Sequence, residues 1–258
     1  MPFVVDLNAD VGEECGDDAS LLAIVTTANV AAGGHAGGGA VLVETVRLAA
    51  QANVAVGAHP SYPDREGFGR VSRAGAHGPE AISALVRDQV LAVADACTVH
   101  HVGLSHVKAH GALYHDAALD GMLAAAFLDG VQAAAHSLGA NDLPVMGMPG
   151  TLLEQACALR GLRFLAEAFA DRAYAPDGTL LPRSQPGAVI HDPVEVAERV
   201  LRLATEGVVL AVDGTDLRIP AVTVCLHGDT AGAVAIARHV RRRLEEHGVV
   251  VAAPGTGR

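Results

Sequence analysis

The feature that most constrains the fold is an alternation of short strand-like runs with longer helix-like segments, repeated about seven times along 258 residues. Short β-branched runs predict the strands, and Ala/Leu/Val-rich segments with helical spacing lie between them. The predicted strands are Phe3–Leu7, Ala28–Ala32, Val54–Gly57, Ser105–Lys108, Leu143–Gly147, Arg163–Glu167 and Val222–Leu226. Such alternation is typical of parallel strands joined by crossover helices. The sequence therefore predicts an α/β fold.

Capping residues and prolines mark where several helices begin. Asp17 and Asp18 precede an apolar run and predict an N-cap. Pro79 predicts the start of a helix that runs to about residue 98, because proline fits the first helical turn. The pair Asp192-Pro193 predicts another helix, to about residue 206, in the same way.

Two long stretches interrupt this alternation, at residues 60–78 and 171–191. Both are rich in Gly, Pro and charge and are too long for ordinary connections, so we expect them to fold over a site. Asp213-Gly214 lies between two apolar runs and predicts a small hairpin. No linker interrupts the chain, so we expect one barrel domain over 1–258, with residues 252–258 as a frayed tail.

The composition fits one large α/β barrel and excludes some partners. Half of the residues are apolar, and aromatics make up only 3%, so the core must consist of Ala, Val and Leu. The formal charge of −11 argues against nucleic acid or an anionic membrane as a partner, because both need a basic surface.

The sequence also indicates a cytoplasmic protein. The N-terminus lacks a basic region followed by a long apolar stretch, so it does not resemble a signal peptide. No segment has the roughly 18 uncharged apolar residues of a membrane span. The four cysteines are widely separated and form no C-x-x-C motif, which indicates reduced thiols.

Reactive side chains follow all but one of the predicted strands. In a β/α barrel the C-terminal strand ends converge on one face, which carries the active site, so we expect these residues to meet. They are Asp6, Asn8, Asp10 and Glu13 after the first strand; His35, His59 and the group His106, Lys108 and His110 after the next three; and Glu167, Asp171, Arg172, His227 and Asp229 after the later ones.

Lys108 is the only lysine among 18 basic residues. Its compact charge and shiftable pKa cannot be reproduced by arginine, so it is a candidate for chemistry. The turn Gly33–Gly39 is either an anion cradle at a helix N-terminus or simply a tight turn. It is no Walker A loop, which needs G-x-x-x-x-G-K. An ATP site must therefore be of another kind or lie on another chain.

Several of these segments resemble the LamB/YcsF family. The matching stretches are DLNADVGE from Asp6, ANVAAGGHAG from Ala28, VGAHPSYPDREGFGR from Val56, HVKAHGALY from His106, FADRAYAPDGTLLPRSQPGAVI from Phe169 and VCLHGD from Val224. The likeness covers nearly the whole chain in the same order. One departure is Gly38, because the family's H-A-G-D motif reads His35-Ala36-Gly37-Gly38 here and lacks the carboxylate.

The resemblance implies a fold, an activity and partners. The fold is a distorted (β/α)7 TIM-like barrel of the glycoside hydrolase/deacetylase type. The activity is that of the A-type subunit of an ATP-hydrolysing 5-oxoprolinase, which converts 5-oxoproline to L-glutamate together with two partner subunits. Self-association into a homo-oligomer stays open.

Opening a lactam needs an activated carbonyl, a nucleophilic water and a protonated leaving nitrogen. ATP coupling suggests phosphorylation of the amide oxygen, a step that fits the partner subunits. Lys108 and Arg172 are candidates for holding carboxylate or phosphoryl oxygens. Asp10 or Asp6 is the candidate base, and His59 or His110 the proton donor. The expected catalytic residues are Asp6, Asn8, Asp10, His59, Lys108 and His110; the expected substrate-binding residues are His35, Arg65, Tyr114, Arg172, Arg183, His227 and Asp229.

Two other functions stay open from the sequence. A metal-dependent, deacetylase-like hydrolase could use Asp10, His35 and His59 as the ligands of a divalent metal, all from separate strands. The other is a non-catalytic subunit that binds or delivers a lactam or a sugar. The number of titratable groups disfavours pure binding, which needs fewer acids and bases.

Overall fold

The computed structural model describes residues 3–140, 142–230 and 232–254. The strands are β1 (Val4–Val11), β2 (Thr27–Ala31), β3 (Ala55–His59), β4 (Leu104–Lys108), β5 (Val145–Gly147), β6 (Phe164–Phe169), β7 (Val208–Leu210), β8 (Asp216–Arg218), β9 (Thr223–Leu226) and β10 (Val250–Val251). The helices are α1 (Asp18–Leu22), α2 (Gly39–Gln51), α3 (Pro79–Val99), α4 (Gly111–Leu119), α5 (Gly121–Ser137), α6 (Leu152–Leu159), α7 (Pro193–Glu206) and α8 (Ala233–Glu246).

Seven parallel strands form a closed barrel in the order β1-β2-β3-β4-β5-β6-β9. The ring closes because β9 pairs with both β6 and β1. The first residues of β1 also pair in parallel with β10, outside the ring. The predicted α/β class and the distorted (β/α)7 barrel are confirmed.

All seven predicted strands are present, with boundaries shifted by at most four residues. The largest shift is in β1, which continues to Val11 because its polar residues are buried and stay in the sheet. Asp17 caps α1 by accepting a hydrogen bond from the Ser20 amide. Helices begin at Pro79 and Pro193 as expected. The predicted hairpin is the antiparallel pair β7–β8, in which Val208 lies opposite Arg218.

The chain divides into two compact units, and the prediction of one domain stays a prediction. Unit 1 comprises residues 1–9, 16–26 and 167–258. In it α7 packs on α8, with Val196, Val200, Ile236 and Val240 buried. An ion pair of 2.7 Å joins Arg243 Nε to Glu198 on the outside of this helix pair.

Unit 2 comprises residues 10–15 and 27–166. In it α3 packs against α5, and Gly130 allows the close approach, because a Cβ there would lie 2.5 Å from the Ser83 carbonyl oxygen. Val86, Val90 and Phe127 are fully buried in these two helices. This core supports the ends of β1 to β4, which carry the site below.

The first long stretch, residues 60–78, is ordered by polar contacts within unit 2. Tyr62, which is completely buried, donates from its hydroxyl to Asp116 at 2.8 Å. Arg73 pairs with Asp64 at 2.7 Å. A short 3-10 helix, Ala74–Ala76, precedes α3. This stretch is therefore a fixed part of the fold.

The second long stretch, residues 171–191, is held in unit 1 by Arg172. Its guanidinium donates to the carbonyls of Leu181 and Ala188. Arg172, a predicted substrate-binding residue, thus joins two parts of this stretch, and its role in binding substrate stays a prediction. Of the predicted frayed tail, Ala252 donates its amide to the Val5 carbonyl at 3.1 Å, and residues 255–258 lie outside the described residues.

Among the described residues no single helix is long and apolar enough to cross a membrane. Helices α4 and α5 together have the length and apolar composition of a span, but they are strongly bent relative to each other.

Gly57 provides a test of the packing under the site. Its Cβ-free backbone in β3 lies against the ring of His106 in β4, and a Cβ at residue 57 would overlap the ring atoms. We expect Gly57→Ala to lower the free energy of unfolding by about 2–3 kcal/mol, as overpacking does. Gly75→Ala is the matched control, because nothing lies within 4 Å of a Cβ there. Urea unfolding checks this, and equal stability of the two variants would contradict the packing argument.

Candidate active site

The site is built around a buried ion pair between the ends of β1 and β4. Lys108 Nζ lies 2.9 Å from Asp10 Oδ1, and only 2% of Lys108 and 9% of Asp10 is exposed. Asn29, in β2, donates to the same Asp10 oxygen at 2.8 Å. Buried charges are costly unless they are paired and hydrogen-bonded. The single lysine and a carboxylate are therefore in direct contact at strand ends that the sequence predicted to converge.

His106 supports this pair from within the barrel. Its Nε2 lies 2.7 Å from Asn29 Oδ1, and because the amide nitrogen of Asn29 donates to Asp10, this oxygen accepts from the ring. The other ring nitrogen lies 2.8 Å from the Ser105 hydroxyl. Complete burial, together with the nearby charge of Lys108, lowers the pKa of His106 to about 3. His106 is thus a neutral donor that orients Asn29.

Two backbone carbonyls orient the rings of His59 and His110. His59 Nδ1 lies 2.8 Å from the Lys108 carbonyl oxygen, and His110 Nε2 lies 3.0 Å from the Phe68 carbonyl oxygen. Since a carbonyl only accepts, each of these nitrogens carries a proton. The remaining nitrogens, His59 Nε2 and His110 Nδ1, face each other at 3.0 Å.

Both facing nitrogens also lie beside carboxylates. His59 Nε2 is 3.4 Å from Asp10 Oδ2 and 3.9 Å from Glu13 Oε1, and His110 Nδ1 is 3.2 Å from the same Glu13 oxygen. If both rings were neutral, two lone pairs would oppose each other in a carboxylate-lined space. Burial alone would lower the pKa of His59. The negative charge of Asp10 and its hydrogen bond have the opposite effect, and the pKa of His59 is raised overall. A proton or a bound cation between the two rings would remove this opposition of lone pairs.

His35 completes the cluster from behind Glu13. Its Nε2 lies 2.8 Å from Glu13 Oε1 and its Nδ1 lies 2.9 Å from the Ser61 hydroxyl. Its ring is stacked on that of His110, with 3.5 Å between the ring centroids. Burial lowers the pKa of His35 to about 4. Burial opposes the ionised form of Glu13, but hydrogen bonds from His110 and His35 overcome it and lower its pKa.

The ordered stretch 60–78 covers this cluster, as the sequence predicted. The Phe68 ring packs edge-on against His35 and His110, with centroid separations of 5.3 and 5.4 Å. Gly69 adopts φ +64° and a Cβ there would lie 2.9 Å from both His35 Cβ and His110 Cδ2. The backbone of this stretch thus approaches as closely as glycine permits.

Asp10, Glu13, His59 and His110 form a buried group whose ligand atoms all lie within 4.8 Å of one another. These side chains could hold a metal ion. The sequence had suggested Asp10, His35 and His59 for this role. The structure differs because both nitrogens of His35 are directed at Glu13 and Ser61, and Glu13 and His110 take its place.

Unit 1 has a polar group of its own at the ends of β6 and β9. His227 Nδ1 lies 2.7 Å from Asp171 Oδ1, and Thr230 donates to the other carboxylate oxygen at 2.7 Å. Burial raises the pKa of Asp171, but His227 and these hydrogen bonds reverse the effect and lower it. Arg183 lies 3.4 Å from Asp229 in the same unit.

Asp6 and Asn8 are held by threonines inside unit 1. Asp6 accepts hydrogen bonds from the hydroxyls of Thr26, at 2.6 Å, and Thr223, and Asn8 donates to Thr223 at 2.7 Å. Both residues are at most 1% exposed. The structure gives Asp6 two hydroxyl partners, so Asp10 is the better candidate for chemistry.

Arg65 and Tyr114 lie at the margin of unit 2. Arg65 is half-exposed, donates to the Gly37 carbonyl and lies 3.7 Å from Glu14. Tyr114 is buried in α4, edge-on to His115. The glycine-rich turn and Arg65 line an open groove of about 760 Å³. At this turn the Gly37 amide donates to the Glu14 carboxylate at 3.2 Å.

The sequence placed Glu13 among the reactive strand-end residues without a specific role, and it gave no role to Asn29 or Ser61. Glu13 lies in the same polar run as Asp10, three residues further on, which was the available signal. Asn29 lies within a strand and Ser61 follows the strand-end His59 by two residues, but an amide or hydroxyl in such a place usually has a structural role. Their importance follows from contacts that only the fold creates.

Taken together, the fold and the cluster define a (β/α)7-barrel protein with a buried acid–base site. The chain belongs to the LamB/YcsF family, whose model matches residues 5–257. It is 46% identical over 254 residues to a protein of Cutibacterium acnes named as the A-type subunit of 5-oxoprolinase, covering 95% of this chain and 96% of that protein. It is 46% identical over 260 residues to the protein of the same name from Methylococcus capsulatus, covering 99% and 97%.

A solved structure agrees with this family membership. The "Lactam Utilization Protein" from Thermus thermophilus is 42% identical, with a TM-score of 0.89. The match covers 96% of this chain and 99% of that one. The barrel and its strand order are therefore those of a family member over essentially its whole length.

The depressed pKa of His106 predicts a pH-dependent stability. The unfolded chain binds a proton at His106 near pH 6.5, and the folded chain does so only near pH 3, so stability is full above 6.5 and falls as pH drops below it. When the pH is lowered from 7.5 to 5.0, we expect the free energy of unfolding of the wild type to fall by about 2 kcal/mol more than that of His106→Gln. Urea unfolding of both proteins at each pH checks this. An equal loss in both proteins would contradict it.

Proposed function

We propose that this chain is the A-type subunit of an ATP-dependent 5-oxoprolinase and opens the lactam ring of 5-oxoproline to L-glutamate. The observation that carries the proposal is the buried Lys108–Asp10 pair beside the facing nitrogens of His59 and His110. The family membership and the names of relatives at 46% identity support the choice of a lactam as substrate.

The chemistry of the substrate explains why such a site is useful. A five-membered lactam is a resonance-stabilised amide with little ring strain, so its carbonyl is a poor electrophile. Charge develops on the oxygen when water adds, and the ring nitrogen must be protonated to leave. A preorganised positive charge in a site shielded from water stabilises such an oxyanion strongly. Lys108, which Asp10 holds in place, has the charge and burial for this role.

The His59–His110 pair provides a second positive centre. Its charge lies between two nitrogens that two backbone carbonyls hold in position, and it can protonate or polarise a leaving group. If a metal ion is bound by these histidines with Asp10 and Glu13, it would polarise the carbonyl and activate water. A metal-dependent amide hydrolase is therefore the second candidate, favoured by this four-residue group.

ATP use and partners complete the proposal. Phosphorylation of the amide oxygen by ATP, which releases ADP, would make the amide carbon a better electrophile, and we assign this step to two partner subunits. Water would then add to this carbon, the bond to the protonated ring nitrogen would break, and hydrolysis of the resulting acyl phosphate would release L-glutamate and phosphate. The chain has one lysine and no Walker A sequence, which favours an ATP site on another polypeptide of the complex. None of the four cysteines forms a disulfide within the part of the chain that the structure describes, which agrees with a reaction in the reducing cytoplasm.

The test is glutamate release from 5-oxoproline and ATP, measured with this chain alone, with its candidate partner subunits alone and with the mixture. We expect glutamate only from the mixture. Glutamate from the partners alone would remove this chain from the reaction. No glutamate from any combination would favour the metal-dependent hydrolase acting on another amide.

Lys108→Met tests the central residue. Methionine keeps much of the aliphatic volume but removes the charge, so we expect glutamate release by the mixture to fall at least about a thousandfold, as loss of an oxyanion-stabilising group does. Arg87→Met, on the exposed surface of α3, is the matched control and should stay near wild type. Circular dichroism and unfolding midpoints show whether each variant folds. A folded Lys108→Met protein with near wild-type turnover would exclude lysine from the mechanism.

A further inference from the structure

We propose that Asp10, Glu13, His59 and His110 form a binding site for one divalent transition-metal ion. All four side chains are buried in unit 2, and each offers one nitrogen or oxygen atom to a common point. Two imidazoles and two carboxylates suit Zn²⁺, Fe²⁺, Co²⁺ or Mn²⁺ better than Mg²⁺ or Ca²⁺, which prefer oxygen ligands. Metal binding by the protein does not depend on which amide it cleaves.

The first support is the spacing between the ligand atoms. Around a tetrahedral zinc ion with bonds of about 2.0–2.2 Å, neighbouring ligand atoms lie about 3.3–3.5 Å apart. Here His59 Nε2 lies 3.0 Å from His110 Nδ1, 3.4 Å from Asp10 Oδ2 and 3.9 Å from Glu13 Oε1. His110 Nδ1 lies 3.2 Å from Glu13 Oε1. Two of these four distances, 3.4 and 3.9 Å, are long for hydrogen bonds, and the four together bracket the edge length of a metal tetrahedron.

The second support is what holds each ligand from behind. A metal-bound histidine almost always donates its other ring N–H to a carbonyl or carboxylate. His59 donates to the Lys108 carbonyl and His110 to the Phe68 carbonyl, so both present a lone pair inward. His35 holds Glu13 at 2.8 Å. Three of the four ligands are thus oriented before any ion arrives.

The third support is how the two oxygens of Asp10 are used. Lys108 and Asn29 both bind Asp10 Oδ1, whereas Asp10 Oδ2 faces His59. The ligand set of two ionised carboxylates and two imidazoles, which are neutral when they bind a metal, brings two negative charges to this point. A divalent ion is therefore electrostatically favoured between the facing nitrogens, where otherwise a single proton must separate two lone pairs.

Metal content of the untagged protein, grown with trace metals, tests the proposal without any substrate. We expect about one equivalent per chain by elemental analysis. His59→Gln and His110→Gln should each lower it to about a tenth or less, because each removes one of four ligands. His136→Gln, on the exposed face of α5, is the matched control and should keep the wild-type content. Equal metal content in all three variants would overturn the proposal.

A second measurement uses wild type alone and so does not depend on the variants folding. After chelation and dialysis, added Co²⁺ should give the intense visible absorption of a tetrahedral site, saturating at about one equivalent. Added Zn²⁺ should displace it and raise the unfolding midpoint, because an ion that binds only the folded chain stabilises it by mass action. No visible band and no shift of the midpoint would show that a proton occupies the position, and would overturn the proposal whatever the outcome of the glutamate assay.

Discussion

The buried contact between Lys108 and Asp10 is the interaction on which the site depends. Removing both charges from water costs several kcal/mol per ion, so the pair is tolerable only with good geometry and further hydrogen bonds. Asn29 and the Asp10–His59 contact supply these, and His106 in turn orients Asn29. The backbone carbonyl of Lys108 also orients His59. One residue at the end of β4 therefore sets both the charge and the ring orientation of its surroundings.

The polar cluster also explains why a long segment without a major helix or strand is ordered. The Phe68 carbonyl fixes His110, and the Gly69 carbonyl accepts from the Ala112 amide at the start of α4. The stretch 60–78 is thus tied to the cluster that it covers. Its Phe68 ring keeps the stacked imidazoles of His35 and His110 away from solvent, which strengthens every electrostatic interaction beneath it. Fold and site are stabilised by the same contacts.

Much of this could be predicted from the sequence, because strand period and helix caps are local signals. The seven strands followed from them, and the strand-end rule brought Asp10, His59 and Lys108 together. Three features of the site could not be predicted from the sequence. The backbone acceptor at Phe68 has no sequence signature, since every residue has a carbonyl. Glu13 lies in a turn, where no periodicity indicates its direction. Arg172 resembles a ligand-binding residue in sequence, but its partners are carbonyls of its own long loop.

The glycine at residue 38 bears on whether this family member retains a working site. The family motif has a carboxylate there, and a Cβ on Gly38 would lie 3.9 Å from Arg65 Nη2, so a carboxylate would sit beside that guanidinium. In its absence Arg65 still has the Gly37 carbonyl and lies 3.7 Å from Glu14. Arg65 therefore has an acidic partner, Glu14, without a carboxylate at residue 38. This turn contacts the buried cluster through His35, which lies 2.8 Å from Glu13 and stacks on His110, whereas Gly38 lies beside Arg65 in the open groove, so the substitution alters the surroundings of Arg65 rather than the contacts of His35.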